Sequence, residues 1–204
     1  MSNEDVAVSS KERSYRGYVT VDTYRLRHKI SDDQWSGEME RQVVERGHAV
    51  AVLPYDPIRR ELVLIEQFRI GAFTSPGFRP YQIECVAGII EEGQTAEEAA
   101  YRETLEETGL EADALLPMVS YLSSPGVISE ALTLFTAKVD ATDAGGIFGV
   151  DHEDEHIRVF PVPLEDAFEL LETGAIENGM TVIALQWLKL NRHKIPPEWA
   201  EAGE

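Results

Sequence analysis

Three glutamates in the middle of the chain, Glu103, Glu106 and Glu107, have the residue type and spacing of a metal-binding cluster. They lie in the stretch AGIIEEGQTAEEAAYRETLEETGL, residues 87–110. In a helix, Glu103 and Glu107 share one face because they are four residues apart, and Glu106 lies beside them. Two like charges at this spacing destabilise an isolated helix by about 0.2–0.5 kcal/mol, and a divalent cation between them reverses the sign. The stretch predicts either a site for Mg²⁺, the usual cation beside phosphates, or a solvated acidic helix.

Local signals place both ends of this helix. Thr95 and Glu98 have the spacing of a capping box, which satisfies free N–H groups of the first turn. Gly109 is the expected left-handed stop, and Leu110 is expected to fold back on the last turn. The small residues on the face that carries the glutamates are Ala96, Ala99 and Ala100. A close-packed surface therefore gives way to a pocket lined with carboxylates.

The overall charge argues against nucleic acid as a partner. The 204 residues include 37 acidic and 18 basic side chains, for a formal net charge of −19, with no basic stripe to release counterions. The hydrophobic content of 43% is enough for a large core. Cys85 is the only cysteine, which excludes an intrachain disulfide and makes a reducing cytoplasm the expected location. The N-terminal residues lack an apolar signal segment, and no apolar run reaches membrane-spanning length.

Hydrophobic patterns divide the chain into three parts. Residues 1–14 are polar and are expected to be flexible. Residues 15–46 predict a small antiparallel sheet that needs a cover, for which the second subunit of a dimer is a natural candidate. Residues 47–204 predict the main domain.

The main domain is expected to alternate strands and helices around loops over 71–80 and 140–155. Its predicted strands cover residues 49–54, 61–69, 81–86, 116–122, 131–139 and 156–162. Two further helices are expected over 163–173 and 179–190. The predicted fold class is α/β (α+β), a mixed β-sheet sandwiched between helices, with an N-terminal antiparallel β extension.

The residues around the first helix resemble the Nudix hydrolase box, Gly-x5-Glu-x7-Arg-Glu-U-x-Glu-Glu-x-Gly-U, where U is aliphatic. The matching residues are Gly88, Gly93, Arg102, Glu103, Glu106, Glu107, Gly109 and Leu110. Two positions depart from the pattern, because Gln94 replaces the first glutamate and Thr104 replaces the first aliphatic residue. The Arg-Glu-x-x-Glu-Glu part, which carries the metals in that family, is intact. An amide at Gln94 can keep hydrogen bonds but not a charge.

The phrases ERGH, LIEQFR, SPGVISE and ENGMTVIALQWLKL, within residues 15–195, resemble the bacterial ADP-ribose pyrophosphatase branch of the family. The resemblance implies Mg²⁺-dependent hydrolysis of ADP-ribose, a small nucleotide-sugar, to AMP and ribose 5-phosphate. It also implies a homodimer whose N-terminal strands exchange between subunits, with each active site drawing on both chains. Alternatives are a Nudix hydrolase of another sugar nucleotide, such as GDP-mannose or ADP-glucose, and a non-catalytic ADP-ribose sensor.

By the same resemblance, Glu103 and Glu107 are the principal metal ligands and catalytic residues. Glu106 and the Ala87 carbonyl are expected beside them, and Arg102 is interpreted as an ion-pair partner that orients the glutamates. Mn²⁺ is the expected substitute for Mg²⁺.

The catalytic base is expected outside the box, on the loop DHEDEHIR. Glu153 matches the base, and Glu155 a nearby metal or support position. A solvated acidic loop is the alternative interpretation of the same residues.

The resemblance also implies substrate-binding residues in three segments. Arg69, at the end of LIEQFR, matches a phosphate-binding arginine, with a surface cation as the alternative. Arg41 and Arg46 resemble residues that reach the nucleotide from the neighbouring subunit. Ser124 and Glu130 bracket SPGVISE, where the branch holds the terminal ribose, and a turn with a polar rim is the alternative.

Overall fold

The computed structural model describes residues 3–149 and 156–200 and divides them into two compact units. The first unit contains the chain up to His48 together with Leu122–Ala131, and the second contains Ala49–Tyr121 and the chain from Leu132 onwards. The segment 122–131, which carries SPGVISE, therefore joins the N-terminal part, which the sequence patterns do not indicate.

The first unit contains one antiparallel sheet. Its strands are β1 (Val6–Arg16), β2 (Thr20–Ser31), β3 (Gln34–Trp35) and β4 (Met39–Glu45). Strand β2 is the centre of the sheet, since it pairs with each of the other three. The predicted antiparallel β extension is confirmed.

The N-terminus differs from the expected flexible segment over residues 1–14. Strand β1 pairs with β2 from Val6 opposite His28 to Arg16 opposite Thr20. The segment is polar because the side chains on both faces of β1 are exposed. It is ordered by its backbone hydrogen bonds to β2. The expectation is corrected for residues 6–14.

The second unit is built on an eight-stranded mixed sheet. Its strands are β5 (Ala49–Asp56), β6 (Glu61–Phe68), β7 (Tyr81–Glu84), β8 (Val86–Ile89), β9 (Ala114–Leu122), β10 (Ala131–Lys138), β11 (Gly146–Phe148) and β12 (Ile157–Pro163). Along the main path the order is β11-β12-β6-β5-β10-β9, with β10 parallel to β5. Strand β11 lies inside the loop predicted over 140–155, because a three-residue strand is too short to leave a periodic signal.

Strands β5 and β6 separate within the second sheet, and this separation positions the strand β8 that leads to helix α2. Strands β5 and β6 pair only at Tyr55 opposite Leu62 and Asp56 opposite Glu61, after which β7 pairs with β6 and β8 with β5. The single strand predicted over 81–86 is therefore two strands that meet at Cys85. The change of partner, which is a long-range feature, has no local sequence signal.

In the part of the chain that the structure describes, four α-helices accompany the strands: α1 (Ile70–Phe73), α2 (Ala96–Thr108), α3 (Leu164–Glu172) and α4 (Gly179–Asn191). Helix α1 is a single turn that begins one residue before the loop predicted over 71–80 and continues into it. Short 3-10 helices occur at Asn3–Asp5, Arg192–Lys194 and Pro197–Ala200. Among the helices of the described ranges, none has the length and apolar composition to cross a bilayer.

The core of the second unit lies on both faces of its sheet. All eight residues of β5 are buried. Ala51 and Leu53 pack in the cluster that includes residues of α3 and α4, whereas Val50 and Val52 pack with the alanines of α2. Burial on both faces produces the continuous apolar run in the sequence. The mixed sheet between helices is confirmed.

Candidate active site

Helix α2 begins and ends where the sequence predicts. The Thr95 side chain accepts from the Glu98 amide, the Glu98 side chain accepts from the Thr95 amide, and Gly109 is left-handed at φ 70°. The buried residues of this helix include Ala99, Ala100 and the two predicted principal metal ligands, Glu103 and Glu107. The predicted face of small residues followed by carboxylates is confirmed.

Glu103 lies directly against the backbone of β8. A Cβ built on Gly88 would be only 1.7 Å from Oε1 of Glu103 and 2.4 Å from Oε2. A glycine is needed here because any side chain would occupy the position of the carboxylate. The box motif contains this glycine, but its contact with Glu103 becomes visible only in the fold.

Glu107 is fixed to the neighbouring residue of the same strand. The backbone N–H of Ala87 donates to Oε2 of Glu107 at 3.1 Å. The two buried carboxylates of α2 are thus both held against β8, one by a hydrogen bond and the other by close approach. This arrangement concentrates negative charge against the backbone of β8 at Ala87 and Gly88.

Arg102 compensates part of that charge. Its Nη1 lies 2.7 Å from Oε1 of Glu103 and 2.8 Å from Oε2 of the half-exposed Glu106. Its Nη2 donates to the carbonyl of Ile89 at 3.1 Å and to Oε1 of Gln94 at 3.3 Å. The expected ion pairs of Arg102 with the glutamates are present, and its orienting role stays a prediction. Gln94 keeps a hydrogen bond without a charge, as expected.

The donor set suits a hard divalent cation. The two buried groups, Glu103 and Glu107, are carboxylates, and the recess over Gly88 that a Cβ would fill already admits carboxylate oxygens. Within residues 3–149 and 156–200, no group of three or more acidic, histidine or cysteine side chains is gathered as a metal cage. Mg²⁺ is usually held by one or two carboxylates together with substrate phosphates, so the pair fits that ion.

Arg69 is the predicted phosphate-binding residue, and it lies in an ion pair at the end of β6. Its Nε is 3.0 Å and its Nη2 2.7 Å from Oε2 of Glu84, whose side chain is 0% exposed. The Arg69 side chain is 39% exposed. Sequence reasoning missed Glu84, although a charged residue in the otherwise uncharged run YQIECVAGII was the available signal.

Cys85 joins this pair to the glutamates of α2. Burial is the main cause that raises the pKa of the Cys85 thiol to about 12. The negative charges of Glu84 and Glu107 act in the same direction, and the hydrogen bond with Thr181 acts against them. Two carboxylates thus act on one buried thiol. The Arg69–Glu84 pair and the end of α2 consequently share one region of the second unit.

The other predicted substrate residues belong to the first unit. Nε of Arg46 lies 3.3 Å from Oε1 of Glu130, so the structure brings these two together. Ser124 accepts the amides of Val127 and Ile128 through its carbonyl, as in a turn. Nη1 of Arg41 donates to the carbonyl of Glu40 at 2.8 Å. This contact within the first unit does not test the predicted role of Arg41 in substrate binding, which stays a prediction.

The predicted base, Glu153, and its neighbour Glu155 lie outside the described residues. Their roles stay predictions.

Known proteins resemble this chain over most of its length. A family model described as NUDIX domain matches residues 45–198. The chain is 46% identical over 196 residues to the ADP-ribose pyrophosphatase of Escherichia coli strain K12, covering 96% of this chain and 93% of that protein. It is 32% identical over 181 residues to the GDP-mannose pyrophosphatase of Shigella flexneri serotype 5b strain 8401, and the match covers 85% of this chain and 92% of that protein.

A solved structure described as an ADP compounds hydrolase has the same fold. It matches with a TM-score of 0.68 at 24% identity and covers 93% of this chain and 97% of that chain.

Proposed function

This chain belongs to the Nudix family, and from that premise we propose that it hydrolyses ADP-ribose and water to AMP and ribose 5-phosphate. The observation that carries the proposal is the pair of buried carboxylates, Glu103 and Glu107, held against β8. The 46% identity to an ADP-ribose pyrophosphatase over nearly the whole chain supports the substrate.

Nudix hydrolases use divalent metal cations, and we propose Mg²⁺ here, with Mn²⁺ as a substitute. Glu103 and Glu107 would hold it, with Glu106 and the carbonyl of Ala87 as further ligands and Glu155 as support. When bound, the ion neutralises phosphate charge and activates water at neutral pH.

The protein's own groups would position the substrate and move one proton. Arg69 binds the pyrophosphate, since a guanidinium offers planar donors that match phosphate oxygens. Arg102 holds Glu103 and Glu106 in place through the 2.7 and 2.8 Å ion pairs. Glu153 takes a proton from the attacking water as its oxygen bonds to one phosphorus, and the bond from that phosphorus to the bridging oxygen breaks.

We further propose a cytoplasmic homodimer that exchanges its N-terminal strands, with residues 15–46 as the dimerisation extension and 47–204 as the hydrolase domain. Arg41 and Arg46 would reach the nucleotide of the neighbouring subunit, and Ser124 and Glu130 would hold the terminal ribose. Three exposed apolar side chains of β1, Val6, Val8 and Tyr15, support a partner that covers them. A monomeric mass in solution at micromolar concentration would contradict the exchange.

The GDP-mannose pyrophosphatase relative favours one second candidate, hydrolysis of another sugar nucleotide at the same site. The intact Arg-Glu-x-x-Glu-Glu sequence argues against a sensor without catalysis. Product analysis with ADP-ribose, ADP-glucose, GDP-mannose and NADH in the presence of Mg²⁺ separates these functions. AMP and ribose 5-phosphate, formed fastest from ADP-ribose and lost with chelator, are the expected products. Binding of ADP-ribose without hydrolysis of any of the four would favour the sensor.

Glu107→Gln tests the role of the carboxylate pair. The amide can still accept the Ala87 N–H, but it lacks the charge, so we expect kcat to fall by at least about 10²–10³-fold, typical of losing one electrostatic group. Steady-state kinetics and circular dichroism would be measured together. Glu97→Gln, at an exposed position of the same helix, is the matched control and should keep wild-type turnover. Unchanged turnover in Glu107→Gln would refute the assignment.

A further inference from the structure

Glu84 is a carboxylate with two different partners. Its side chain is fully buried, and both of its oxygens are engaged. Arg69 donates from Nε and Nη2 mainly to Oε2, while Nδ2 of Asn178 donates to Oε1 at 2.8 Å. Because Asn178 holds one oxygen, the carboxylate presents the other to Arg69 in a fixed orientation.

Asn178 is itself fixed because it is the N-cap of α4. Its Oδ1 accepts the backbone N–H of Thr181 at 3.1 Å. The hydroxyl of Thr181 in turn accepts the backbone N–H of Cys85, the residue after Glu84, at 2.9 Å. The first turn of α4 is thus tied to the strand junction at two adjacent residues, by one side-chain and one backbone contact.

From these contacts we infer that Asn178 is a positioning residue for Arg69 and acts through Glu84. The inference rests on the proposed function, in which Arg69 binds the pyrophosphate. A half-exposed arginine loses side-chain freedom when it binds a ligand, and a guanidinium already held along its Nε–Nη2 edge loses less. Asn178 would therefore raise the rate of substrate capture without touching the substrate.

Two substitutions separate this role from helix capping. Serine and aspartate cap helices about as well as asparagine, so Asn178→Ser and Asn178→Asp should both keep the cap of α4. Both remove the amide donor to the buried Glu84, so we expect the melting temperature to fall in both, and circular dichroism should show that α4 remains folded. Asn178→Ser removes the donor to Glu84, and we expect kcat/KM for ADP-ribose to fall about tenfold, within the range for small misplacements of a binding group. Asn191→Ser is the control, because this asparagine of the same helix donates to the Trp187 carbonyl instead.

Asn178→Asp should make kcat/KM depend on pH in a way that a purely structural role of Asn178 would not produce. It sets a second carboxylate against Glu84, and in such a pair one pKa is strongly raised. At low pH the protonated acid can donate to its neighbour as the amide does. We expect kcat/KM of Asn178→Asp relative to wild type to fall as pH rises through that new ionisation, with no such change in Asn178→Ser.

A double-mutant cycle with Arg69→Lys shows whether the effect passes through Arg69. Lysine keeps a cation beside Glu84 but loses the planar fork, so Asn178→Ser should have little further effect in that background. An equal loss in both backgrounds, or a wild-type kcat/KM in Asn178→Ser, overturns the inference while ADP-ribose hydrolysis by the wild type upholds the function. A wild type that hydrolyses no sugar nucleotide overturns both.

Discussion

Strands β5 and β1 are both paired along their length, but for opposite reasons, and only the ladder of β1 with β2 has register shifts, at Val8/Ser10 and Arg13/Tyr15. Every residue of β5 is buried, and its side chains pack between helices on two faces. In β1, only Ala7 is even partly buried, yet the strand pairs with β2 along its whole length. Apolar packing stabilises β5, whereas backbone hydrogen bonds and charge pairs stabilise β1.

Two charge pairs link β1 to Asp22 of β2. The Asp22 side chain on β2 is only 1% exposed and lies 2.9 Å from both Lys11 Nζ and Arg13 Nε. Hydrogen bonds from Arg13 and then Lys11 lower the pKa of Asp22 to about 2. We therefore expect the second unit to be sensitive to substitutions that change side-chain volume and the first unit to be sensitive to substitutions that remove a charge.

Gly88→Ala should give the largest effect, because it changes shape where β8 meets α2. The new methyl group would occupy the place of the Glu103 carboxylate, which is the movable end of a side chain. The fold should survive, while Glu103 is displaced and kcat falls by at least about 10²-fold. Kinetics with circular dichroism would measure both.

Gly37→Ala in the first unit is the matched control, since nothing lies within 4 Å of a Cβ there. It should leave turnover unchanged. Full activity in Gly88→Ala would mean that contact between Glu103 and the β8 backbone is dispensable.

A smaller effect is expected from Thr95→Ala at the start of α2. The threonine hydroxyl accepts the Glu98 amide at 3.2 Å, and loss of such a cap costs about 1 kcal/mol. Because α2 packs on the sheet core, the loss should lower the unfolding free energy of the second unit. Thr95→Ser should restore it in denaturant titrations. Equal stability of the alanine and serine variants would contradict the role of the cap.

Local signals explain why α2 could be predicted from the sequence. Its cap, its stop and its small-residue face all lie within a few residues of one another, and the site glutamates belong to the same segment. The buried strands β5 and β6 are likewise visible as apolar runs. Most of the fold of the second unit follows from such short-range patterns.

Long-range contacts explain what could not be predicted. The change of strand partner at Cys85 depends on the split between β5 and β6. The bond from Asn178 to Glu84 joins residues 94 positions apart. Strand β1 has no apolar period because both of its faces are exposed, so its polar sequence resembles that of a flexible terminus.

Asp22→Asn should have the smallest effect on overall stability and the clearest effect on β1. The neutral amide cannot pair with Lys11 and Arg13, so amide hydrogen exchange in β1 should accelerate while exchange in β5 stays unchanged. Because the folded pKa of Asp22 lies below its ordinary value of 3.8, its contribution is complete above that pH. It is lost as pH falls through about 2.

Protection of β1 relative to β5 should therefore decrease in the wild type between pH 4 and 2 and stay flat in Asp22→Asn. Arg25→Gln is the control, because the 3.4 Å pair of Arg25 with Glu40 is exposed on both sides and such pairs contribute little. Identical exchange of β1 in the wild type and Asp22→Asn at neutral pH would show that the backbone ladder alone orders the strand. In that case charge would no longer distinguish the first unit from the second.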